Sequence, residues 1–293
     1  MFTATLIAAG SIGAGDISAA RDRLAEAGCA PAAWGWIEEG VAADLFFGMA
    51  SDRARAALEG ALARTDVVVQ PVATRAKAVL VADMDSTMIT VECIDELADY
   101  AGIKPEIAAI TEAAMRGELD FEAALDARVG LLGGMDAGVI DQCLAERVRI
   151  MPGARELVRT MRASGARCVL VSGGFTRFAE PVAAEIGFDR AVANVLEIEG
   201  GRLTGAVRRP IVGADMKERM LRETVAEVGV GLESALAVGD GANDLPMIRA
   251  AGLGVAYRAK PIVAAAAGAR IEHCDLSALL YAQGVPKKEW VTS

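Results

Sequence analysis

Val79-Leu80-Val81-Ala82-Asp83-Met84-Asp85-Ser86-Thr87 is an apolar run that breaks abruptly into two aspartates. Four apolar residues in a row read as a short strand buried on both faces, as in a parallel sheet covered by helices. Alternate residues of a strand share a side, so Asp83 and Asp85 reach one pocket if extended geometry persists past Ala82. In open α/β sheets ligands bind beyond the carboxyl ends of the strands, where this pair sits. Two close carboxylates repel unless a cation or a proton lies between them. The stretch therefore asks for a metal, a shared proton, or both.

Downstream of it, helical patterns over 93–101, 104–116, 120–131 and 136–147 carry almost no strand signal. This block interrupts an α/β alternation and reads as an inserted helical cap, 92–149. The alternation resumes with a helix over 153–164 behind Pro152, a strand over 167–171, a helix over 176–187 and a strand over 190–193. Glu199-Gly200-Gly201-Arg202 sits between extended runs and predicts a hairpin within 195–208. A helix over 215–228, a strand over 235–238 and shorter β-α pieces complete the pattern. Strand-helix repetition of this kind implies a parallel sheet with helices on both faces, assigned to residues 77–91 and 150–293.

Three strands in this reading end in polar or glycine-rich exits: Asp83-Met84-Asp85, Ser172-Gly173-Gly174 and Gly239-Asp240-Gly241-Ala242-Asn243-Asp244. Lys217 lies early in the helix between the last two. In a parallel sheet all three exits open on one edge. Carboxylate and amide oxygens without Cys or His make a hard-cation site, and Mg²⁺ fits best because it leaves room for phosphate oxygens and waters. Glycine amides, Ser172 and Lys217 suit the equatorial oxygens of a phosphoryl group. A carboxylate serves as nucleophile when a metal and a lysine neutralise the incoming phosphate. A second carboxylate, kept protonated, donates to the leaving alkoxide and later takes a proton from water.

In order and content these segments resemble the four motifs of the haloacid dehalogenase-like phosphatases, over about residues 77–281, with the branch acting on phosphoserine as the nearer match. The resemblance implies a Rossmann-like parallel sheet with a helical cap and the hydrolysis of O-phospho-L-serine through an aspartyl-phosphate, the final step of serine biosynthesis. Asp83 becomes the nucleophile and a Mg²⁺ ligand. Asp85 becomes the general acid/base and a ligand through its backbone carbonyl, and Asp240 another ligand. Ser172, Gly173 and Lys217 hold the phosphoryl group, while Asn243 and Asp244 support the metal and the lysine. Glu92 and Arg128 bracket the amino acid: one anion and one guanidinium suit an ammonium and a carboxylate. Met115 and Phe121 fall where the family closes apolar residues over the substrate, keeping water out of the first transfer. Each position has a plainer use taken singly. Glu92 favours a helix N-terminus, Arg128 and Lys217 suit solvated helix faces, and Met115 and Phe121 suit a cap core. Their joint order is what argues for a site. The alternatives are another small phosphomonoester, such as phosphohomoserine or a sugar phosphate, and an amino-acid-sensing protein with a silent catalytic unit.

Residues 1–72 predict a different architecture. A strand over 2–9, a Gly-rich turn over 10–15, a helix capped by Asp16 or Ser18 and running to Gly28, strands over 32–38 and 41–48 turning at Glu39-Gly40, a helix over 52–64 and a strand over 66–70 give β-α-β-β-α-β. That is the ferredoxin-like order. It resembles an ACT-like amino-acid-binding module, with a structural, dimer-forming or regulatory role. Pro71 to Lys77 reads as a linker.

Composition sets the outer bounds. At 293 residues the chain has room for two units, and 53% hydrophobic residues argue for packed cores. A net charge of -10 offers no basic stripe for nucleic acid. Five cysteines without a C-x-x-C pattern predict buried free thiols in a reducing compartment. His273 is the only histidine, which excludes two-histidine motifs and leaves it a surface or packing role. No apolar run reaches the ~18 residues of a membrane span, and no Lys or Arg precedes Arg21 as a secretory signal would require. The expectation is a cytoplasmic enzyme with a small-molecule substrate, no nucleic-acid or membrane partner, and a homodimer as its candidate assembly.

Overall fold

The computed structural model describes residues 1–49, 51–115 and 118–292, the side chain of Met115 excepted. The N-terminal unit runs β1 (Phe2–Ala8), α1 (Ala14–Glu26), β2 (Pro31–Glu38), β3 (Ala42–Phe47), α2 (Ser51–Leu58) and β4 (Thr65–Pro71). Its antiparallel sheet has the order β2-β3-β1-β4, the ferredoxin-like arrangement. Strand alternation decides what each face meets. Ala4, Leu6, Ala43, Leu45, Phe47 and Val67 pack on Ile17, Ala20, Leu24, Ala54 and Leu58 of the two helices. Two expectations shift here. Gly13 rather than Asp16 or Ser18 precedes α1, and Asp16, inside its first turn, accepts the Gly13 N–H at 2.8 Å. The second helix stops at Leu58, before Gly60 at φ +75°.

The second unit carries β5 (Val79–Ala82), then α3 (Cys93–Ala101), α4 (Lys104–Met115), α5 (Phe121–Leu131) and α6 (Gly138–Glu146). There follow α7 (Ala154–Ala163), β6 (Arg167–Phe175), α8 (Thr176–Ile186), β7 (Arg190–Asn194), β8 (Leu196–Glu199), β9 (Arg202–Val207) and α9 (Ala214–Val228). The last elements are β10 (Ala235–Gly239), α10 (Leu245–Ala250), β11 (Leu253–Tyr257), α11 (Pro261–Ala266), β12 (Ala269–Ile271) and α12 (Ala278–Ala282). Six strands form a parallel sheet of order β12-β11-β10-β5-β6-β7, and β8-β9 form the expected hairpin. Among the described residues no helix is long and apolar enough to cross a membrane.

Both faces of this sheet are covered, which explains the unbroken apolar run of β5. Leu80, Ala82, Leu170, Leu236 and Val238 face one core, shared with α3, α5, α6, α7 and α8. Val79, Val81, Val169, Val171, Ala235 and Ala237 face the other, against α9, α10 and α11. The chain leaves β5 for β6 and β7 on one side and returns through β10 to β12 on the other. The switch point of the sheet therefore falls between β5 and β10, where crevices form.

The four helices between β5 and α7 sit over the carboxyl edge and are fastened at two places. Their neck pairs Ile89 with Ile150, with Thr90 N–H to Arg149 O at 3.0 Å and Met151 N–H to Met88 O at 2.9 Å. At the hairpin, Gly134 N–H donates to Leu203 O at 2.8 Å, Leu203 N–H to Met135 O at 2.9 Å and Ala137 N–H to Gly201 O at 2.9 Å.

The segment read as a linker is a joint instead. Arg75 donates to Asp44 Oδ2 at 2.5 Å and Oδ1 at 2.8 Å, and also to the carbonyls of Tyr281 and Ala282. Buried Asp66 accepts the backbone N–H groups of Glu272, His273 and Cys274. Arg75 and Asp66 thereby clasp the N-terminal sheet to the β12–α12 region. All five cysteines are buried and none is joined in a disulfide, and His273 is exposed.

Candidate active site

Strand register builds the site. Ala82 stands beside Leu170 of β6 and Val238 of β10, so the next residues, Asp83, Val171 and Gly239, form one row. Ser172, on β6, and Asp240, just past the end of β10, lie one step further out. Backbone pairing persists for that step, with Asp83 N–H donating to Val238 O at 3.0 Å. The expectation that β6 ends at Val171 is corrected: the strand runs on through Ser172-Gly173-Gly174 to Phe175, with a register irregularity against β7. The polar exit is thus held as strand. Asn194 fixes it by donating to Gly173 O at 2.8 Å, while its carbonyl accepts the Val212 N–H at 2.7 Å.

Lys217, on the first turns of α9, is fully buried, and its ammonium lies 2.6 Å from Asp83 Oδ1 and 2.7 Å from Asp244 Oδ1. Burial works to lower its pKa, but the two carboxylates outweigh it and hold the amine charged, above its usual range. Both oxygens of Asp244 are committed, Oδ1 to Lys217 and Oδ2 to the N–H groups of Asp240 and Gly241. Asp244 is thereby a brace for the loop and the lysine. Asp240 accepts the Thr87 hydroxyl at 2.9 Å. Burial, with Asp244 close by, pushes its carboxyl up to about 6. Asp83 is raised by burial and by Asp244, against the pull of Lys217.

Asp85 completes the acidic group. Its Oδ1 is buried without a hydrogen-bond partner, and burial followed by the charge of Glu92 raises its carboxyl to about 7. A carboxyl poised there is protonated part of the time at neutral pH and can both give and take a proton.

A cavity of about 890 Å³ joins these groups to the cap. Asp83, Asp85, Ser172, Gly173, Asp240 and Asn243 line its floor, and Glu92, Phe121 and Arg128 line its upper wall. Phe121 seats its ring on Gly173 and Gly213, so close that a Cβ on either glycine would stand 3.3 Å from it. Arg128, half-buried on α5, is anchored by Nε to Ala124 O at 3.1 Å, and burial lowers its pKa against the opposing charges of Asp95 and Glu92. Thus eleven of the twelve residues singled out in the sequence meet here, ten on the cavity wall or the acidic cluster and Lys217 beneath it. Met115 ends α4, and its side chain lies outside the described residues.

The structure adds three residues that the sequence reading passed over. Asp95, one turn beyond Glu92 on α3, lines the same wall; the i, i+3 spacing was the available signal. Lys260 lines the opposite rim, and its N–H donates to Asp240 O at 3.3 Å. Ser86, beside Asp85, donates its hydroxyl to Glu92 Oε1 at 2.6 Å.

The donor set fits a hard cation. Asp83, Asp240 and Asp244 offer oxygens within 4.8 Å of one another. With Asp244 committed, Asp83 and Asp240 remain, and the orphaned Asp85 Oδ1 and two raised carboxyls mark a site short of positive charge.

Comparison with known proteins follows the same division. The family model described as haloacid dehalogenase-like hydrolase matches residues 80–249. The phosphoserine phosphatase of Albidiferax ferrireducens is 50% identical over 68% of this chain and 86% of its own length. That of Streptomyces coelicolor is 49% identical over 73% of this chain and 52% of its own, so the chain spans about half the length of this relative. A solved structure of a probable phosphoserine phosphatase from Vibrio cholerae superposes with a TM-score of 0.78 at 33% identity, over 98% of this chain and 88% of that one.

Proposed function

This chain belongs to the haloacid dehalogenase-like hydrolases, and on that footing we propose that it hydrolyses O-phospho-L-serine to L-serine and phosphate. Its place would be the last step of serine biosynthesis, in the cytoplasm. One observation carries the reading. A single cavity holds two carboxyl groups, one of them raised by burial, and a glycine-rich strand end at its floor, and an anion and a guanidinium, Glu92 and Arg128, on its cap wall. The ester oxygen of phosphoserine separates its phosphate from its ammonium and carboxylate in the same way.

In this reading the phosphoryl group is held by Ser172, the Gly173 backbone and the charge of Lys217. The Asp83 carboxylate attacks phosphorus, whose bond to the seryl oxygen breaks, and Asp85 gives that oxygen its proton. Serine leaves. Asp85 then takes a proton from water as the water oxygen bonds to phosphorus, and the bond to Asp83 breaks, freeing phosphate and the carboxylate. Members of the family generally use a metal ion, and Asp83, Asp240 and the Asp85 backbone carbonyl would hold Mg²⁺ here, with Asn243 and Asp244 in support. Bound there, the cation supplies neutralisation of the charge on the phosphoryl oxygens. Phe121, and Met115 with it, would exclude water while the first transfer takes place. Residues 92–149 act in this account as the cap, residues 77–91 and 150–293 as the catalytic core, and residues 1–72 as a clasped companion.

Phosphate release with Mg²⁺ across phosphoserine, phosphohomoserine, sugar phosphates and p-nitrophenyl phosphate tests the assignment. Phosphoserine should give the highest kcat/KM. Arg128→Ala should lower it at least hundredfold for phosphoserine and less than fivefold for the aryl ester, in keeping with the loss of a bidentate charged contact. Better turnover of a sugar phosphate than of phosphoserine would defeat the substrate assignment.

A further inference from the structure

We propose that Ser86 is a positioning residue for Glu92, fixing its carboxylate so that the site selects phosphate esters whose alcohol carries a cation. The proposal rests on the reading of Glu92 as the partner of the substrate ammonium.

Ser86 follows Asp85 and adopts φ +55°, a left-handed backbone that glycine takes without strain and other residues rarely adopt. Its N–H donates to Val91 O at 3.3 Å, which closes the loop from Ser86 back onto the residue before Glu92. A glycine would serve that turn better if the turn were all that mattered. What serine adds is a hydroxyl, and that hydroxyl is bonded to Glu92 Oε1 at 2.6 Å.

Glu92 needs such a hold. It is exposed, it precedes α3 as the capping residue, and its side chain makes no capping bond to that helix. A free glutamate at such a position samples many rotamers, and fixing one upon binding would subtract from affinity. The Ser86 bond engages Oε1 in advance and leaves Oε2 for a ligand ammonium. Both residues line the cavity with Asp85, so the loop that carries the proposed acid also sets the recognition of the leaving alcohol. Ser86 thus acts on which alcohol is accepted, through KM, rather than on the phosphoryl step.

Steady-state kinetics of the Mg²⁺-loaded full chain on phosphoserine and p-nitrophenyl phosphate test this, comparing wild type, S86G, S86A, E92Q and S86G/E92Q. S86G relieves the left-handed strain and keeps the fold; S86A keeps the Cβ and loses only the hydroxyl. Both should lower kcat/KM for phosphoserine at least fivefold, mainly by raising KM, and lower it for the aryl ester less than twofold. S86G should add nothing in the E92Q background, because a residue acting through Glu92 has nothing left to act on. Wild-type phosphoserine kinetics in S86G would overturn the proposal, as would equal losses on both substrates or additive losses in the double variant. A wild-type enzyme that ignores phosphoserine but cleaves other esters would instead fail the functional reading, and the proposal with it.

Discussion

Lys217 has no contact with water yet keeps its charge, because Asp83 and Asp244 stand 2.6 and 2.7 Å from its ammonium. Removing one partner from a buried ionic group leaves the others uncompensated, at a cost of about 3–5 kcal/mol. Lys217→Met should therefore lower the unfolding free energy by about that amount, read by urea titration of the metal-free protein. It should also cut phosphate release at least hundredfold, as loss of a preorganised charge does. A stable, active Lys217→Met protein would contradict the role given to the cluster. At this scale the sequence was most legible where chemistry depends on residue type and element position: Asp83, Asp85, Asp240 and Asp244 followed from strand exits, and Lys217 from its place early in the helix between two of them. It was silent on Ser86, whose use depends on a backbone angle and on a loop folding back to Glu92. Phe121 was open between packing and closure, and its seat on Gly173 and Gly213 depends on long-range packing that no local pattern announces.

Level strand ends turn separate motifs into one site, and the register of β5 with β6 and β10 is their cause. The run Val79–Ala82 was readable because both faces are buried. The end of β6 was not, since glycines signal a turn by composition while Asn194 pins them as strand. The segment 71–77 looked like a linker for a similar reason: nothing local announces that Arg75 will meet Asp44 and the carbonyls of Tyr281 and Ala282. The start of α7 shows the same long-range dependence. Gly153 has φ +80°, and a Cβ there would stand 2.7 Å from Asp275 Oδ1 and 2.9 Å from Leu276 N. Gly153→Ala must strain its backbone and displace the turn before α12, so the melting free energy should fall by about 2 kcal/mol. Gly153 lies at the carboxyl edge of the sheet, two residues beyond the Met151–Met88 neck bond, so kcat should fall as well in the folded variant. Thermal unfolding beside a kcat measurement would check both.

As a whole the molecule is acidic, and its buried acids set how pH acts on it. Burial lifts Asp85 to about 7 and Asp240 to about 6, with Asp83 raised as well. A carboxyl raised in the folded state binds more protons there than in the unfolded chain. Stability contributed this way is present at low pH and is lost as pH rises through the folded pKa. The metal-free protein should therefore become more stable from pH 7.5 toward pH 6, by calorimetry. Mg²⁺ should restore the loss at pH 7.5, adding about 2.7 kcal/mol at a hundred times its Kd, and should add less at pH 5.5 where protons compete. Identical melting curves with and without divalent cation would contradict it. The overall plan, a parallel sheet with an inserted helical layer and an N-terminal β-α-β-β-α-β unit, was legible in the order of elements. How tightly the two units are joined was not, since Asp66 and Arg75 act across more than two hundred residues. The double fastening of the helical layer, at the Ile89–Ile150 neck and along Gly134–Ala137 on the hairpin, has a mechanical outcome. A body riveted at two separated spots swivels about the axle between them rather than lifting away, so solvent and product would trade places through a narrow angular gap, with the Phe121 ring as its stop.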